Sequence, residues 1–416
     1  MVKPAREKAP DSTLSLLREG YRFIPNRCRK HDSDIFEARL LLERTLFIQG
    51  EDAAKIFYNK THFTRENAAP KRLEKTLFGE GGVQGLDDEE HLHRKTLFLP
   101  LLEAENVADL VETTRLVWLE RLAHWKIGST IVLFDELQEI LFQGVCRWAG
   151  VPLAEEEISD KTRKIALLIE SPAAITFKHL KGRMARKQLE DWAAKLITQV
   201  REGTLNVAPD KALARVAWHR NQAGDLLATE VAAVELLNIL RPTTAVARYL
   251  AFIAHALHTY PQHREPLAKD DGTYREWFVE EVRRHYPFFP CVVAVVKSPF
   301  TWQGIEFTHG RRVVLDLYGT NHDKRLWERP DDFDPQRFQQ TRDESYSLIP
   351  QGGGDYALHH RCPGERITLG LMHLCVDMLV NHIRYEVPRQ DLDIDYGKVP
   401  TLPNSRFVIE FSGDSS

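Results

Sequence analysis

The sequence predicts a mainly α fold with a minor β portion, and three observations carry that prediction. Apolar residues recur at three and four spacing through most of the long segments. The β-like runs are short and grouped, one near Leu46 and three between Cys291 and Gly319. Helices and strands do not alternate in strict βαβ units, which argues against a dinucleotide-binding Rossmann fold. No internal repeat or low-complexity linker divides the chain, so residues 1–416 read as one large domain.

The elements follow in order. "ERTLFIQGEDAAKIFYN", opening at Glu43, reads as a short strand, a Gly turn and a helix beginning near Glu51. "HLHRKTLFLPLL" and "NVADLVETTRLVWLERLAHW" carry helical spacing. "IVLFDELQEILFQGVCRWAG" and "RKQLEDWAAKLITQVREG" are helices that stop at Gly150 and Gly203, where glycine tolerates the left-handed cap. A long apolar segment runs from about Asp225 to Tyr260 and is closed by Pro261. Helix "REWFVEEVRRHYP" follows, then the strands "CVVAVVK", "FTWQGIEFT" and "RRVVLDLYG", and last the helix "ERITLGLMHLCVDMLVNHI".

Composition narrows the function classes. Hydrophobic residues make up 43% and charged residues 28%, the balance of a folded chain rather than a disordered one. A net charge of −4 argues against nucleic acid as a partner. The five cysteines, at 28, 146, 291, 362 and 375, form no CxxC pair and no disulfide framework, which points to a reducing, cytoplasmic setting. The N-terminal "MVKPAREKAPDSTLSLLREGYRF" has no continuous apolar core, so neither a signal peptide nor a membrane anchor is expected.

The stretch "QGGGDYALHHRCPGER" (351–366) concentrates chemistry. Its glycines permit tight turns, and Pro363-Gly364 redirects the chain before a helix. Cys362 could serve there as a metal ligand, a nucleophile or a buried thiol, with backbone N–H groups at the helix start favouring its anion. His359 and His360 are candidate zinc co-ligands, but no second Cys/His pair at finger spacing exists. Upstream, Glu281 and Arg284 lie on one face of one helix.

Taken together, the E-x-x-R pair, then "WERPDDFDPQRF" (326–337), then the Cys loop and its helix resemble a cytochrome P450 along nearly the whole chain. The resemblance implies the cytochrome P450 fold, with Glu281 and Arg284 bracing the core against Arg337. It also implies that Cys362 is the thiolate ligand of haem b iron, a ligand that favours O–O cleavage. The departures are informative. Position 355, where the family carries an aromatic, is Asp, and position 358, where it carries Gly, is Leu. The segment "LLATEVAAVELLNILRPTTAVARYLAFIAHAL" lacks the acid–alcohol pair of the distal helix and presents Arg241-Pro242 instead.

Arg241 follows Leu237, Ile239 and Leu240 and precedes Ala245 and Val246, and a guanidinium buried among such residues is costly unless paired. It either reaches solvent, pairs with a local carboxylate such as Glu235, or holds a carboxylate substrate bidentately. Pro242 breaks the helical hydrogen-bond ladder beside it.

"RP", "EVRRHYPFFP", "DLYGTNHD", "PQGGGDY" and "HRCPGE" as a set resemble the bacterial fatty-acid peroxygenase branch of the P450s, which contains fatty-acid α- and β-hydroxylases and olefin-forming decarboxylases. That resemblance implies a fatty acid and hydrogen peroxide as partners, with the carboxylate on Arg241 replacing the missing acid–base pair and no reductase required. Gln84 stands where hydroxylating members often carry Gln and decarboxylating members His, so hydroxylation at Cα or Cβ is expected over alkene formation. The competing readings are a terminal-alkene-forming decarboxylase, a monooxygenase served by separate redox partners, and a non-catalytic haem sensor. The resemblance further suggests His91 and Lys95, four apart on one helix, with Arg65 and Tyr286, as haem-propionate contacts, and Phe78 and Phe288 as walls of an acyl channel.

Overall fold

A computed structural model describes residues 2–172, 177–269, 272–340 and 344–414. The helices that build the site are α1 (Asp88–Lys95), α2 (Ala104–Leu122), α3 (Leu133–Ala149), α4 (Glu155–Glu170), α5 (Phe177–Arg201), α6 (Thr229–Ala245), α7 (Ala247–Thr259), α8 (Thr273–His285) and α9 (Glu365–Asp377). The larger sheet is made from β1 (Ala5–Arg6), β2 (Ile35–Leu40), β3 (Glu43–Ile48), β4 (Phe63–Thr64), β5 (Cys291–Val296) and β6 (Arg312–Asp316). Its spatial order is β1-β2-β3-β6-β5-β4.

The sheet is assembled by local and distant pairings. β2 and β3 form a hairpin with Leu40 opposite Glu43, turned by Leu41 (φ 51°) and Leu42 (φ 67°), the left-handed pair of a two-residue turn. β3 runs parallel to β6 with Thr45 opposite Arg312, and β6 pairs antiparallel with β5, Cys291 opposite Asp316. Ile35, Leu46, Ile48, Val313 and Leu315 pack on one face of the sheet. Phe23, Phe36, Phe47 and Val314 pack on the other.

The rest of the core is helical and contiguous. α6 is buried over most of its length and packs against α3, α4 and α5. α9 packs on α2, α7 and α8. Close approach of α2 and α3 depends on Gly144, since a Cβ there would stand 2.7 Å from Thr114 Oγ1. Each fully buried apolar side chain such as Trp118, Phe134 or Leu371 contributes about 2–3 kcal/mol.

Several sequence readings change in detail. Helix α3 ends as expected at Gly150, left-handed with φ 73°, whereas α5 already stops at Arg201 and Gly203 (φ 73°) lies just beyond. "HLHRKTLFLPLL" is not one helix: α1 gives way to a 3₁₀ turn, Leu99–Leu102, because Pro100 cannot continue the ladder. The long segment before Pro261 is two helices, α6 and α7, separated at Val246. "FTWQGIEFT" is a hairpin, Phe300–Trp302 with Ile305–Phe307. Strand β2 and helix α4 are elements the sequence pattern did not single out. No helix among the described residues is long and apolar enough to cross a membrane.

Candidate active site

The Cys362 loop is shaped by backbone turns and fastened from several sides. Gly352 (φ 96°) and Gly354 (φ 80°) occupy left-handed backbone, and a Cβ on Gly352 would meet the Tyr58 hydroxyl at 2.8 Å. Asp355 caps the turn that follows, its Oδ1 accepting from the N–H groups of Ala357 (2.7 Å) and Leu358 (2.8 Å). An aromatic could not make those bonds. Lys95 donates to the carbonyls of Tyr356 and His359, both at 2.6 Å. The Cys362 N–H donates to the Gln351 carbonyl at 3.0 Å. Gln351 Nε2 in turn reaches Thr368 Oγ1 at 3.1 Å and approaches Cys362 Sγ at 3.8 Å. Where the loop enters α9, Arg361 Nε donates to Glu365 at 2.6 Å. The fully buried Arg283 bonds Glu280 at 2.5 Å and pairs with Glu365 as well. Burial, then Glu365, push the Cys362 thiol above its ordinary pKa, against the backbone of Gly364 and the Gln351 amide, which favour the anion.

These residues fit haem. His359 Nδ1 accepts from the Asp355 N–H (2.9 Å) and His360 Nε2 bonds Asp87 (3.1 Å), so neither histidine stands free as a co-ligand. Among the described residues no three His, Cys, Asp or Glu side chains converge to hold a bare metal ion. A single thiolate in a polar-donor loop would suit the iron of a haem, whose nitrogen ligands the porphyrin supplies; zinc would need more protein ligands.

The brace expected behind this loop is present. Glu281 and Arg284 are fully buried and joined by two hydrogen bonds of 2.7 and 2.8 Å. Arg337 Nε lies 3.1 Å from Glu281, and Arg284 also donates to the carbonyls of Asn321 (3.0 Å) and Pro330 (2.8 Å). This ties α8 to the irregular chain before the Cys362 loop.

On α6 the buried polar residues form a chain. Asn238 Nδ2 donates to Glu235 Oε2 at 2.8 Å and to Gln84 Oε1 at 3.2 Å, while its Oδ1 accepts from Arg241 Nη2 at 3.1 Å. The Glu235 carboxylate, wholly buried, is taken by Arg94 at 2.7 Å. Burial raises the pKa of Glu235, against the lowering by Asn238 and Arg94. Gly82 leaves room for the chain, since a Cβ there would lie 3.0 Å from Asn238 Nδ2 and 3.1 Å from Gln84 Oε1.

Arg241 is 5% exposed, so it neither reaches solvent nor pairs with Glu235. Among the described residues it makes no ion pair, and its Nε has no partner. Burial and then the like charge of Arg186 lower its pKa to about 9, while Cys362 opposes them. Pro242 supplies no N–H to the helix, and the hydroxyls of Thr243 and Thr244 bond back to the carbonyls of Ile239 and Leu240, each at 2.9 Å.

The remaining expected contacts divide. Arg65 lies over the Phe57 ring at 4.2 Å and donates to the Val293 carbonyl at 2.8 Å, and burial lowers its pKa. His91 stacks on His360 at 4.0 Å between centroids. Burial, followed by His360 and Lys95, keeps His91 neutral with a pKa of about 3. Burial likewise brings Lys95 down to about 8. Arg65, His91 and the Cys loop thus meet at one edge of the site. Tyr286 does not join them: its ring stacks on Phe252 (4.7 Å) and its hydroxyl bonds His255 Nδ1 at 2.8 Å. The reason is local, since Tyr286 is the extended residue that ends α8 and turns toward α7. Phe288 stacks half-buried on Tyr249 at 4.1 Å, and the Phe78 carbonyl accepts from Arg186. Asn238, Arg94, Arg186 and Arg283 were not singled out in the sequence; polar residues at apolar helix positions were the available signal.

Comparison with known proteins places this geometry. The cytochrome P450 family profile matches residues 262–411. A solved variant of cytochrome P450SP alpha is 45% identical, with 98% of this chain and 100% of that chain covered and a TM-score of 0.96. Cytochrome P450EX alpha, solved with myristic acid, is 43% identical over 100% of both chains, TM-score 0.96. A single-residue variant of cytochrome P450 OleT, solved with arachidonic acid, is 32% identical over 100% of this chain and 99% of that one, TM-score 0.96. Among curated relatives, cytochrome P450 4A10 of Rattus norvegicus is 27% identical over 39% of this chain, which spans a third (33%) of that relative's length, and protopanaxadiol 6-hydroxylase of Panax ginseng is 20% identical over 94% of this chain and 87% of its own. The thiolate loop, the buried brace behind it and full-length likeness at 43–45% identity to solved members show that this chain belongs to the cytochrome P450 family.

Proposed function

We propose that this chain is a haem-thiolate peroxygenase that uses hydrogen peroxide to hydroxylate long-chain fatty acids at Cα or Cβ. The observation that carries the reading is Arg241, a buried guanidinium on α6 that has no carboxylate partner among the described residues and lies near enough to Cys362 to feel its charge. A buried cation without a counter-ion is costly, and a fatty-acid carboxylate is a ligand of the right charge and bidentate shape. Two of the solved relatives were crystallised with fatty acids, which supports the same substrate class here.

Haem b bound through Cys362 would supply the oxidising chemistry of a thiolate-ligated iron. Arg241 binds and orients the substrate carboxylate, and Asn238 fixes the guanidinium from one side. Anchoring the acid at its carboxylate presents its first carbons, Cα and Cβ, for reaction. The threonines beside Pro242 give their hydroxyls to their own helix, and we assign proton exchange with peroxide to the substrate carboxylate. Gln84, a neutral amide bonded to Asn238, can donate or accept hydrogen bonds but has no titratable proton to shuttle, which favours the hydroxy acid over the alkene. A C–H bond and hydrogen peroxide become C–OH and water, so no reductant, flavin or reductase enters the balance.

The test is turnover of a long-chain fatty acid by the purified haem-loaded protein with hydrogen peroxide alone. Gas chromatography should find 2- or 3-hydroxy acid. A dominant terminal alkene would favour the decarboxylase reading, and no product without a reductase would favour a conventional monooxygenase.

A further inference from the structure

The first three turns of α5 present an outer face that the rest of the described chain does not cover. Phe177 (82% exposed), Leu180 (55%) and Met184 (56%) follow one another at three and four spacing, so they form one apolar stripe. The stretch "FKHLKGRMARK", Phe177 to Lys187, holds five Lys or Arg and no Asp or Glu, within a chain whose net charge is −4. Lys178 is paired with Glu170 and Lys187 with Asp191. Lys181 and Arg183 are exposed and pair with no carboxylate among the described residues. Lys71 and Arg72, exposed on the neighbouring turn Lys71–Leu73, extend the basic area. Arg72 and Arg183 both lie close enough to His179 to act on its protonation.

We propose that this face of α5 docks on an anionic lipid bilayer, with Phe177, Leu180 and Met184 entering the headgroup boundary and Lys181, Arg183, Lys71 and Arg72 meeting lipid phosphates. An apolar stripe flanked by unpaired cations is the pattern of a helix that lies in a membrane interface. Charge complementarity selects the occupant: an apolar protein partner would cover the stripe and leave the cations without counter-charges, and an anionic bilayer satisfies both. The opposite side of the same helix faces inward, where Arg186 donates to the carbonyls of Leu77 and Phe78 at 3.4 Å. Docking would set that segment one helix thickness below the lipid.

The experiment is sedimentation of the haem-loaded protein with phosphatidylglycerol and with phosphatidylcholine vesicles, and it does not depend on turnover. Binding to phosphatidylglycerol should exceed binding to phosphatidylcholine and weaken as salt rises. K181E/R183E should weaken it roughly tenfold or more, at about one unit charge's worth of surface attraction per residue changed. F177S/L180S should weaken it at low salt as well. Absence of sedimentation with phosphatidylglycerol, or binding unaltered in both double variants, overturns the proposal. Binding lost in K181E/R183E but retained in F177S/L180S overturns the part assigned to the apolar stripe.

Discussion

Glu235 gives its carboxylate to Arg94, at 2.7 Å, and so leaves Arg241 on the same helix without an anion among the described residues. An acid three residues before Arg241 on α6, where the neutral Asn238 stands, would neutralise the guanidinium. Instead Arg241 receives only the neutral Oδ1 of Asn238, at 3.1 Å, which positions it and keeps its charge available.

Arg241→Gln removes the charge while retaining a hydrogen-bonding group. Peroxide-driven turnover of fatty acid should fall by about 10²–10³-fold, the range for deleting a pre-organised electrostatic partner. The thiolate-type haem spectrum should remain, since Arg241 is no part of the Cys362 loop. Steady-state kinetics beside an absorption spectrum read both.

Asn238→Asp places a carboxylate where Arg241 now finds an amide oxygen. The guanidinium then pairs internally, and the Michaelis constant for fatty acid should rise about tenfold or more. A purely structural role for Asn238 would lower kcat and stability without that selective loss of affinity.

Glu281→Ala leaves Arg284 and Arg337 buried without their shared carboxylate. Breaking such an arrangement from one side costs about 3–5 kcal/mol. Thermal unfolding of the variant should begin at least roughly 5 °C lower than in the parent.

His255, bonded to Tyr286, predicts a pH dependence. Burial lowers its pKa to about 4, against about 6.5 in an unfolded chain. The unfolded state therefore binds the proton first, so the stability is fully present above about pH 6.5 and is lost as pH falls toward 4. His255→Gln should make the fall in unfolding free energy between pH 6.5 and 4.5, read from urea titrations, shallower by up to about 1.4 kcal/mol per pH unit.

What could be read from the sequence was what is local. Glycines, a proline and one cysteine in sixteen residues announce a shaped loop before a helix, and an arginine followed by proline in an apolar run announces a buried cation. The pairing of Arg94 with Glu235 joins residues 141 positions apart, and nothing in either neighbourhood marks the other. Gln84 was visible only through resemblance, and its bond to Asn238 only through the fold. Tyr286 was misplaced because a residue ending a helix can leave in more than one direction, and here the aromatic pocket of Phe252 and Phe333 captures it. Asp355 looked like a departure from the family pattern, and the hydrogen bonds it makes to Ala357 and Leu358 explain why an acid stands there.

The central claim is that the substrate carboxylate, held by Arg241, is required for peroxide use. The direct measurement compares hydrogen-peroxide-driven turnover of a long-chain fatty acid with that of its methyl ester, at equal dissolved concentration and without reductant. The account predicts hydroxy acid from the free acid and at least about a hundredfold less product from the ester. Equal turnover of acid and ester would contradict it.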